Sequence, residues 1–311
     1  MTSRVSRWSG YLFLILFSLL LTSCRNRTPY PPTLPPVFSA TPIQATNQPT
    51  ATPTQPPPTD TPVPLAAAID GQPITLDDYQ SELVRYQISQ GAGTGEPTDA
   101  ARLAVLDDLI NQTLLANGAQ QAGFSINEAD LQARIDQLAN QIGGAQALAS
   151  WMQSYHYTEE SFHAAILREA LAAWMRDQII NSVPEAAEQV HARQILLYNE
   201  DQANQVYAQL QTGADFATLA NTYDPTLGGN LDWFPRGYLS EKAVEDAAFS
   251  LNPGEYSTVI QTTIGYHIIQ VIERDPERNM TPNVRLVLQE KTLQNWLDER
   301  RSQSNIQIFV P

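Results

Sequence analysis

Gly228-Gly229-Asn230-Leu231-Asp232-Trp233-Phe234 and Gly265-Tyr266-His267-Ile268-Ile269 decide how this 311-residue chain is read. Each begins at glycine, the residue that tolerates a tight turn, and runs into apolar and aromatic residues that favour strands. Working outward, Val190 to Leu197 reads as a strand. Ala203, Val206, Tyr207 and Leu210 make one face of a short helix, with Gly213 as its stop, and Phe216, Leu219 and Ala220 mark a second helix. Leu231 to Phe234 is a strand and Glu245 to Leu251 a helix. Asn252-Pro253-Gly254-Glu255 is a turn, and Tyr256 to Thr262 and Tyr266 to Ile272 are strands. A βααβαββ order within about 85 residues predicts a compact α+β domain on a small antiparallel sheet, over residues 186–275.

On either side the period changes from two to about 3.6. Ala68-Ile69-Asp70-Gly71-Gln72-Pro73-Ile74 is a short strand and turn, and Thr75 with Asp78 three residues later has the pattern of a helix N-cap. Apolar stripes follow at Leu76, Tyr79, Leu83 and Tyr86, and at Leu103, Leu106, Ile110 and Leu114, with Gly118 as the expected stop of that second helix. They continue at Leu131, Ile135, Leu138 and Ile142, and, after Thr158, at Phe162, Ile166, Ala170 and Trp174. Past the α+β domain, Thr281-Pro282 opens a helix carrying Leu286, Leu293 and Leu297, and Ile306 to Val310 alternates like a terminal strand. An apolar last strand needs a partner, and the strand near Ile69 is the expected one. The α+β domain is then an insertion into an all-helical domain built from residues 66–184 and 280–311.

The first 65 residues differ in kind. Arg4 and Arg7 precede an apolar run, Tyr11 to Leu21, broken only by Ser18 and shorter than the roughly 20 residues a membrane span needs. This is the pattern of a secretory signal over residues 1–24, ending in Leu21-Thr22-Ser23-Cys24, and Cys24 is the sole cysteine of the chain. A plain signal peptide with an incidental cysteine is the alternative. Residues 25–65 form a Pro/Thr-rich linker. Within it, 25–64 hold 13 of the 22 prolines and nine threonines, a composition that buries too little apolar surface to fold and suits an extended spacer.

The net charge is −15, and from Leu65 onward 32 acidic residues face 14 basic ones. An acidic surface repels phosphate backbones, so nucleic acid is not an expected partner. Glu159 and Glu160, four and three residues before His163, lie on one helix face, but no metal-ligand motif accompanies them and no metal is expected.

The α+β segment resembles the parvulin-type peptidyl-prolyl isomerases. Ala192-Arg193-Gln194-Ile195-Leu196-Leu197 is similar to their opening strand, and Gly228 to Phe234 to their GGDLGWF segment. Asp246-Ala247-Ala248-Phe249-Ser250-Leu251, Pro253-Gly254-Glu255 and Gly265-Tyr266-His267-Ile268-Ile269 follow in family order. The flanking helices are similar to those of the SurA/PrsA-type extracytoplasmic foldases, where N-terminal helices and a C-terminal helix build a chaperone module around an inserted parvulin domain. The end of the signal resembles the bacterial lipobox, which implies lipidation at Cys24 and anchoring to the outer face of the cell membrane, or to the periplasmic side if there are two membranes.

The resemblance implies a peptidyl-prolyl cis-trans isomerase that needs no cofactor and acts on unfolded or partly folded exported polypeptides containing Xaa-Pro bonds. The barrier it lowers is about 18–20 kcal/mol of amide resonance. No covalent intermediate is required. The site has to hold the proline ring, exclude water and favour the twisted amide over the planar one. Family positions place the pocket at Leu231, Leu239, Val244 and Phe249, the histidine of the floor at His267, its network partner at Thr262, and the acidic residue beside the amide at Asp224. Phe249 equally suits an ordinary core, and a turn is the alternative reading of Asp224-Pro225. Gln194 stands where the family has a first histidine, and it can donate and accept hydrogen bonds but cannot titrate. A binding chaperone with a degenerate parvulin domain is therefore the alternative function.

Overall fold

The computed structural model describes residues 63–91 and 95–310. Cys24, the apolar run before it and the proline-rich linker up to Pro62 lie outside the described residues. Leu65, the last residue given to the linker, already belongs to a strand.

The described chain begins with a hairpin. Strand β1 (Leu65–Ile69) and β2 (Gln72–Thr75) pair antiparallel through the two-residue turn Asp70-Gly71. Both turn residues have positive φ, +52° and +85°, which matches the twist of the strands and explains the Asp-Gly pair. The last strand, β7 (Ile306–Ile308), adds to the other edge of β1, with Ile69 opposite Ile306. The two ends of the described chain thus close on one another, as the alternation at Ile306 to Val310 predicted.

Between them run α1 (Leu76–Ser89), α2 (Asp99–Gln121), α3 (Glu128–Ile142), α4 (Ala145–Ser154) and α5 (Glu159–Asn181), with α9 (Pro282–Gln303) returning after the inserted domain. Thr75 caps α1 by accepting from the Asp78 amide at 3.0 Å, and Thr281 caps α9 with Pro282 in its first turn. Ile69, Tyr79, Leu83, Leu106, Leu109, Leu114, Ile179 and Leu297 form the main helical core. The sequence reading differs here in four places. Helix α4 gave no recognised signal, because its ten residues bury only Leu148. Leu103 and Leu286 lie on the solvent side of their helices, since the inward stripes run instead through Val105, Leu106 and Leu109, and through Val284 and Leu297. Gly118 does not end its helix. It lies inside α2, where a Cβ would stand 2.8 Å from the Trp296 ring, so the glycine lets α9 approach α2.

The inserted domain carries β3 (Ala186–Leu197), α6 (Glu200–Gln211), α7 (Phe216–Tyr223), β4 (Asn230–Pro235), α8 (Lys242–Ser250), β5 (Ile260–Gln261) and β6 (Tyr266–Asn279). The sheet order is β4-β3-β6-β5, antiparallel throughout. The expected strand from Tyr256 to Thr262 is real only at Ile260–Gln261, with an isolated bridge at Tyr256; between them the buried Ser257 donates its amide to the Ile269 carbonyl and accepts the Ile269 amide on its hydroxyl, in place of a regular ladder. One face of the sheet, through Ile195, Leu197 and Ile268, packs on Val206, Leu210 and Phe216 of α6 and α7. The other, through Val190, Ala192, Ile269 and Val271, packs on Val244, Ala248 and Phe249 of α8. Strands β3 and β6 are longer than predicted. Their ends, Ala186 to Gln189 and Asp275 to Asn279, run side by side out of the domain, and Met280 donates to the Glu185 carbonyl at 2.8 Å. The chain therefore enters and leaves the insertion through one two-stranded neck, sealed by Val183, Met280 and Val284.

Candidate active site

The β3–β6 register puts Gln194 opposite Ile269 and Leu196 opposite His267. Directly opposed residues of an antiparallel pair share a face, so Gln194 and His267 meet as diagonal neighbours on the α8 side of the sheet. His267 Nδ1 lies 2.9 Å from Gln194 Oε1, and His267 Nε2 lies 3.0 Å from Thr262 Oγ1. The imidazole is only 2% exposed, yet both ring nitrogens are partnered, which is what makes a histidine tolerable in an apolar strand. Burial holds its pKa below the ordinary histidine range, against a smaller opposing pull from Glu241.

This network accommodates either charge state. In neutral His267, Nδ1–H donates to Gln194 Oε1 and Nε2 accepts from the Thr262 hydroxyl. When the ring is protonated both nitrogens donate, and the Thr262 proton turns to the Gly265 carbonyl, 3.2 Å away. Thr262 is itself fixed, because the Ile264 amide donates to its hydroxyl at 3.2 Å and its own amide donates to the Gly265 carbonyl at 2.8 Å. A side chain on Gly265 would bring a Cβ within 2.5 Å of the Leu197 carbonyl, so this turn requires glycine.

Asp224 follows α7. Its Oδ1 accepts from the amides of Thr226 and Leu227 at 3.2 and 3.1 Å, and its Oδ2 from the amide of Gly229 at 3.1 Å. These bonds, led by that from Leu227, hold its carboxyl below the usual range. The carboxylate thus organises its own loop. That loop is docked on the sheet, because the Gln194 amide donates to the Gly229 carbonyl at 2.8 Å. Gly229 has φ +67°, and a Cβ there would lie 1.9 Å from the Gln194 carbonyl oxygen.

The four expected pocket residues belong to one apolar cluster at two depths. Val244 and Phe249 are buried at 2% and 5% exposure, while Leu231 and Leu239 are half-buried against them. Phe249 meets Phe234 edge to face at 6.0 Å and carries the Arg236 guanidinium 4.1 Å from its centroid. It serves the core from one side and carries a cation on its ring. His191 lies off the network, stacked on Trp233 at 5.6 Å. His163 meets no glutamate of its own helix; its Nε2 lies 2.9 Å from Glu128 Oε1 on α3.

The loop between β4 and α8, which carries Leu239, is held by residues that sequence reasoning did not select. Glu245 on α8 is buried, and its two oxygens accept from the amides of Gly237 and Leu239 at 2.7 and 2.9 Å. On the other side, Lys291 of α9 donates to the carbonyls of Gly237, Tyr238 and Leu239 at 2.9, 2.8 and 3.2 Å. In sequence both are charged residues within helices, with no motif to separate them from solvated ones.

Comparison with known proteins matches two family models to this chain. Residues 179–275 match the PPIC-type PPIASE domain, and residues 61–171 match the SurA-like N-terminal domain. The foldase protein PrsA of Caldanaerobacter subterraneus subsp. tengcongensis is 28% identical over 227 residues, covering 66% of this chain and 72% of that protein. A probable parvulin-type peptidyl-prolyl cis-trans isomerase of Bordetella pertussis is 27% identical over 257 residues, covering 78% of this chain and 92% of that protein. The crystal structure of the peptidylprolyl isomerase PrsA from Bacillus anthracis aligns with a TM-score of 0.42 at 21% identity, covering 64% of this chain and 96% of that one.

Proposed function

We propose that this chain, which carries a PPIC-type PPIASE domain joined to a SurA-like N-terminal domain, is a parvulin-type peptidyl-prolyl cis-trans isomerase and foldase for exported proteins. The observation that carries the reading is the paired network Thr262–His267–Gln194 on the sheet face beside an apolar cluster. In this reading the proline ring lies against Leu231 and Leu239, with Val244 and Phe249 forming the packed layer behind them. The network faces the amide with fixed polar groups, which costs no reorganisation as the bond twists. Gln194 holds His267 in place as a neutral acceptor. Asp224 acts through the position of its loop, since both its oxygens are already occupied by backbone amides.

Residues 66–184 and 280–311 then form the chaperone module and 186–275 the isomerase. Lipidation at Cys24 would hold both outside the cytoplasm on the proline-rich linker that ends before Leu65. Among the described residues no helix is long and apolar enough to cross a membrane. Gln194 in place of a titratable residue also supports a second reading, a binding chaperone whose isomerase domain is slow.

Exchange measured by NMR on Xaa-Pro peptides separates the two. An isomerase accelerates exchange, and His267→Ala reduces kcat/KM at least about tenfold, equivalent to about 1.4 kcal/mol. A wild-type rate equal to background, with Gln194→His gaining activity, is the outcome expected of the binding chaperone.

A further inference from the structure

Three backbone carbonyls, those of Gly237, Tyr238 and Leu239, converge on one point. Unpaired, they would repel one another. Lys291 Nζ occupies that point, and its three N–H groups match the three acceptors. On the opposite side of the same residues Glu245 takes the two amides. The loop is gripped between the isomerase domain and a helix of the chaperone module. Gly237, at φ +84°, faces Leu288 of the same helix, where a Cβ would lie 3.5 Å from Leu288 Cδ2. Tyr238 packs both on the α8-side core and on the seal at the neck. Helix α9 is itself fixed to α2 through Trp296 on Gly118 and through Arg301, which donates to Asn111 Oδ1 at 2.8 Å.

What this loop carries makes the grip more than glue. Leu239 is the half-buried wall of the proposed proline pocket. Glu241, two residues on, accepts from the Thr263 hydroxyl at 3.4 Å, in the turn next to Thr262, and is the acidic group that acts on His267. We propose that Lys291 is a positioning residue of the isomerase site, through which the helical module fixes the Leu239 wall of the pocket. This rests on the isomerase reading above. The isomerase domain then depends on its host for pocket geometry, and a shift of α9 reaches the pocket loop through the three hydrogen bonds of Lys291 and the packing of Leu288 beside them.

The test uses the full chain as wild type, Lys291→Met and Lys291→Arg. Methionine keeps the length and removes all three donors. Arginine keeps the charge, but its planar fork does not converge on one point. Xaa-Pro isomerisation is measured by NMR exchange, with amide hydrogen exchange over residues 237–239. Lys291→Met is expected to lower kcat/KM about tenfold, mainly through KM, because a wall that binds ground and transition state alike is loosened. Exchange at 237–239 rises, and Lys291→Arg falls between the two. Unchanged KM together with unchanged exchange in Lys291→Met overturns the proposal, as does faster exchange with wild-type kinetics, the signature of a purely structural bond. If the wild type shows no turnover, the isomerase reading fails separately. Affinity for an Xaa-Pro peptide, compared between wild type and Lys291→Met alongside loop exchange, then decides the role of Lys291. Should Lys291→Met not fold, Lys291→Arg judges it by the same two measurements.

Discussion

In the isomerase domain His267 is 2% exposed and has a partner for each ring nitrogen; in the helical module Arg85 is 3% exposed and has one for only one of its three. Arg85 Nη2 reaches Glu82 at 3.0 Å, while Nε and Nη1 have no hydrogen-bond partner among the described residues, and the guanidinium lies 3.9 Å from the centroid of Tyr157. A ring face is a non-directional partner, whereas Gln194 and Thr262 are directional. A fully satisfied buried network specifies one arrangement; a partly satisfied one specifies its geometry less tightly. The first suits a site that must be preorganised.

Two carboxylates of the helical module continue the contrast. Burial among the helices raises Glu169 to about 7 and Asp108 to about 6, with Glu82 pushing both further up and Arg168 opposing. Asp108 does reach solvent, so its shift reflects the crowding of α1, α2 and α5 around it more than enclosure. Burial also pushes Tyr157 up to about 12. In the isomerase domain the histidine is shifted down.

The sharpest way to break the comparison is Gly229→Ala. If the site is preorganised by its docked loop, a Cβ 1.9 Å from the Gln194 carbonyl cannot be absorbed. Chemical denaturation should show a loss of about 3 kcal/mol or more in the isomerase domain. Gln194→Leu comes next. It leaves the Nδ1–H of a buried imidazole without an acceptor and should cost about 1–3 kcal/mol by the same measurement.

Acidification should then move the two regions in opposite directions. The folded-state pKa of His267 is lowered, so its contribution is intact above about pH 6.5 and is lost as pH falls through the folded value. Glu169 and Asp108 are raised, so their contribution is intact below about pH 4 and is lost as pH rises through about 6 to 7. Amide exchange followed from about pH 5 to pH 8 should show sheet amides near His267 more protected at the upper end and amides of α2 and α5 more protected at the lower end. Parallel behaviour in both regions would contradict the contrast. The smallest effect is expected for Arg85→Met, which replaces an under-partnered cation with an apolar chain that matches the arginine stem. Its stability should change by less than about 1 kcal/mol, because Glu82 is partly solvated and tolerates the loss.

Much of this molecule was legible from local pattern. The βααβαββ order follows from periodicity and glycine turns, and the caps at Thr75 and Thr281 follow from short-range hydrogen-bond chemistry. His267 and Gln194 could be selected because they fall within motifs that resemble a known family, and Thr262 because it occupies a family position just before one of them. Helix α4 was not legible because a ten-residue helix burying one leucine leaves no stripe. Gly118 was misread because a glycine that admits a partner helix has the same sequence signature as one that ends its own. Asp224 could be picked out, but whether its carboxylate faces a substrate or its own loop depends on where three amides point.

The sequence by itself determined the order of elements in the inserted domain, because periodicity and turn residues act within a few positions, and its resemblance to a known family pointed to the residues of the network. Only the tertiary structure decided that both crossings of the neck lie side by side, and that Glu245 and Lys291 grip the pocket loop. These are contacts between residues tens of positions apart, or between a charged side chain and backbone groups that carry no side-chain identity. Nothing in the residue types announces such contacts, because every residue but proline offers the same N–H and every residue the same C=O.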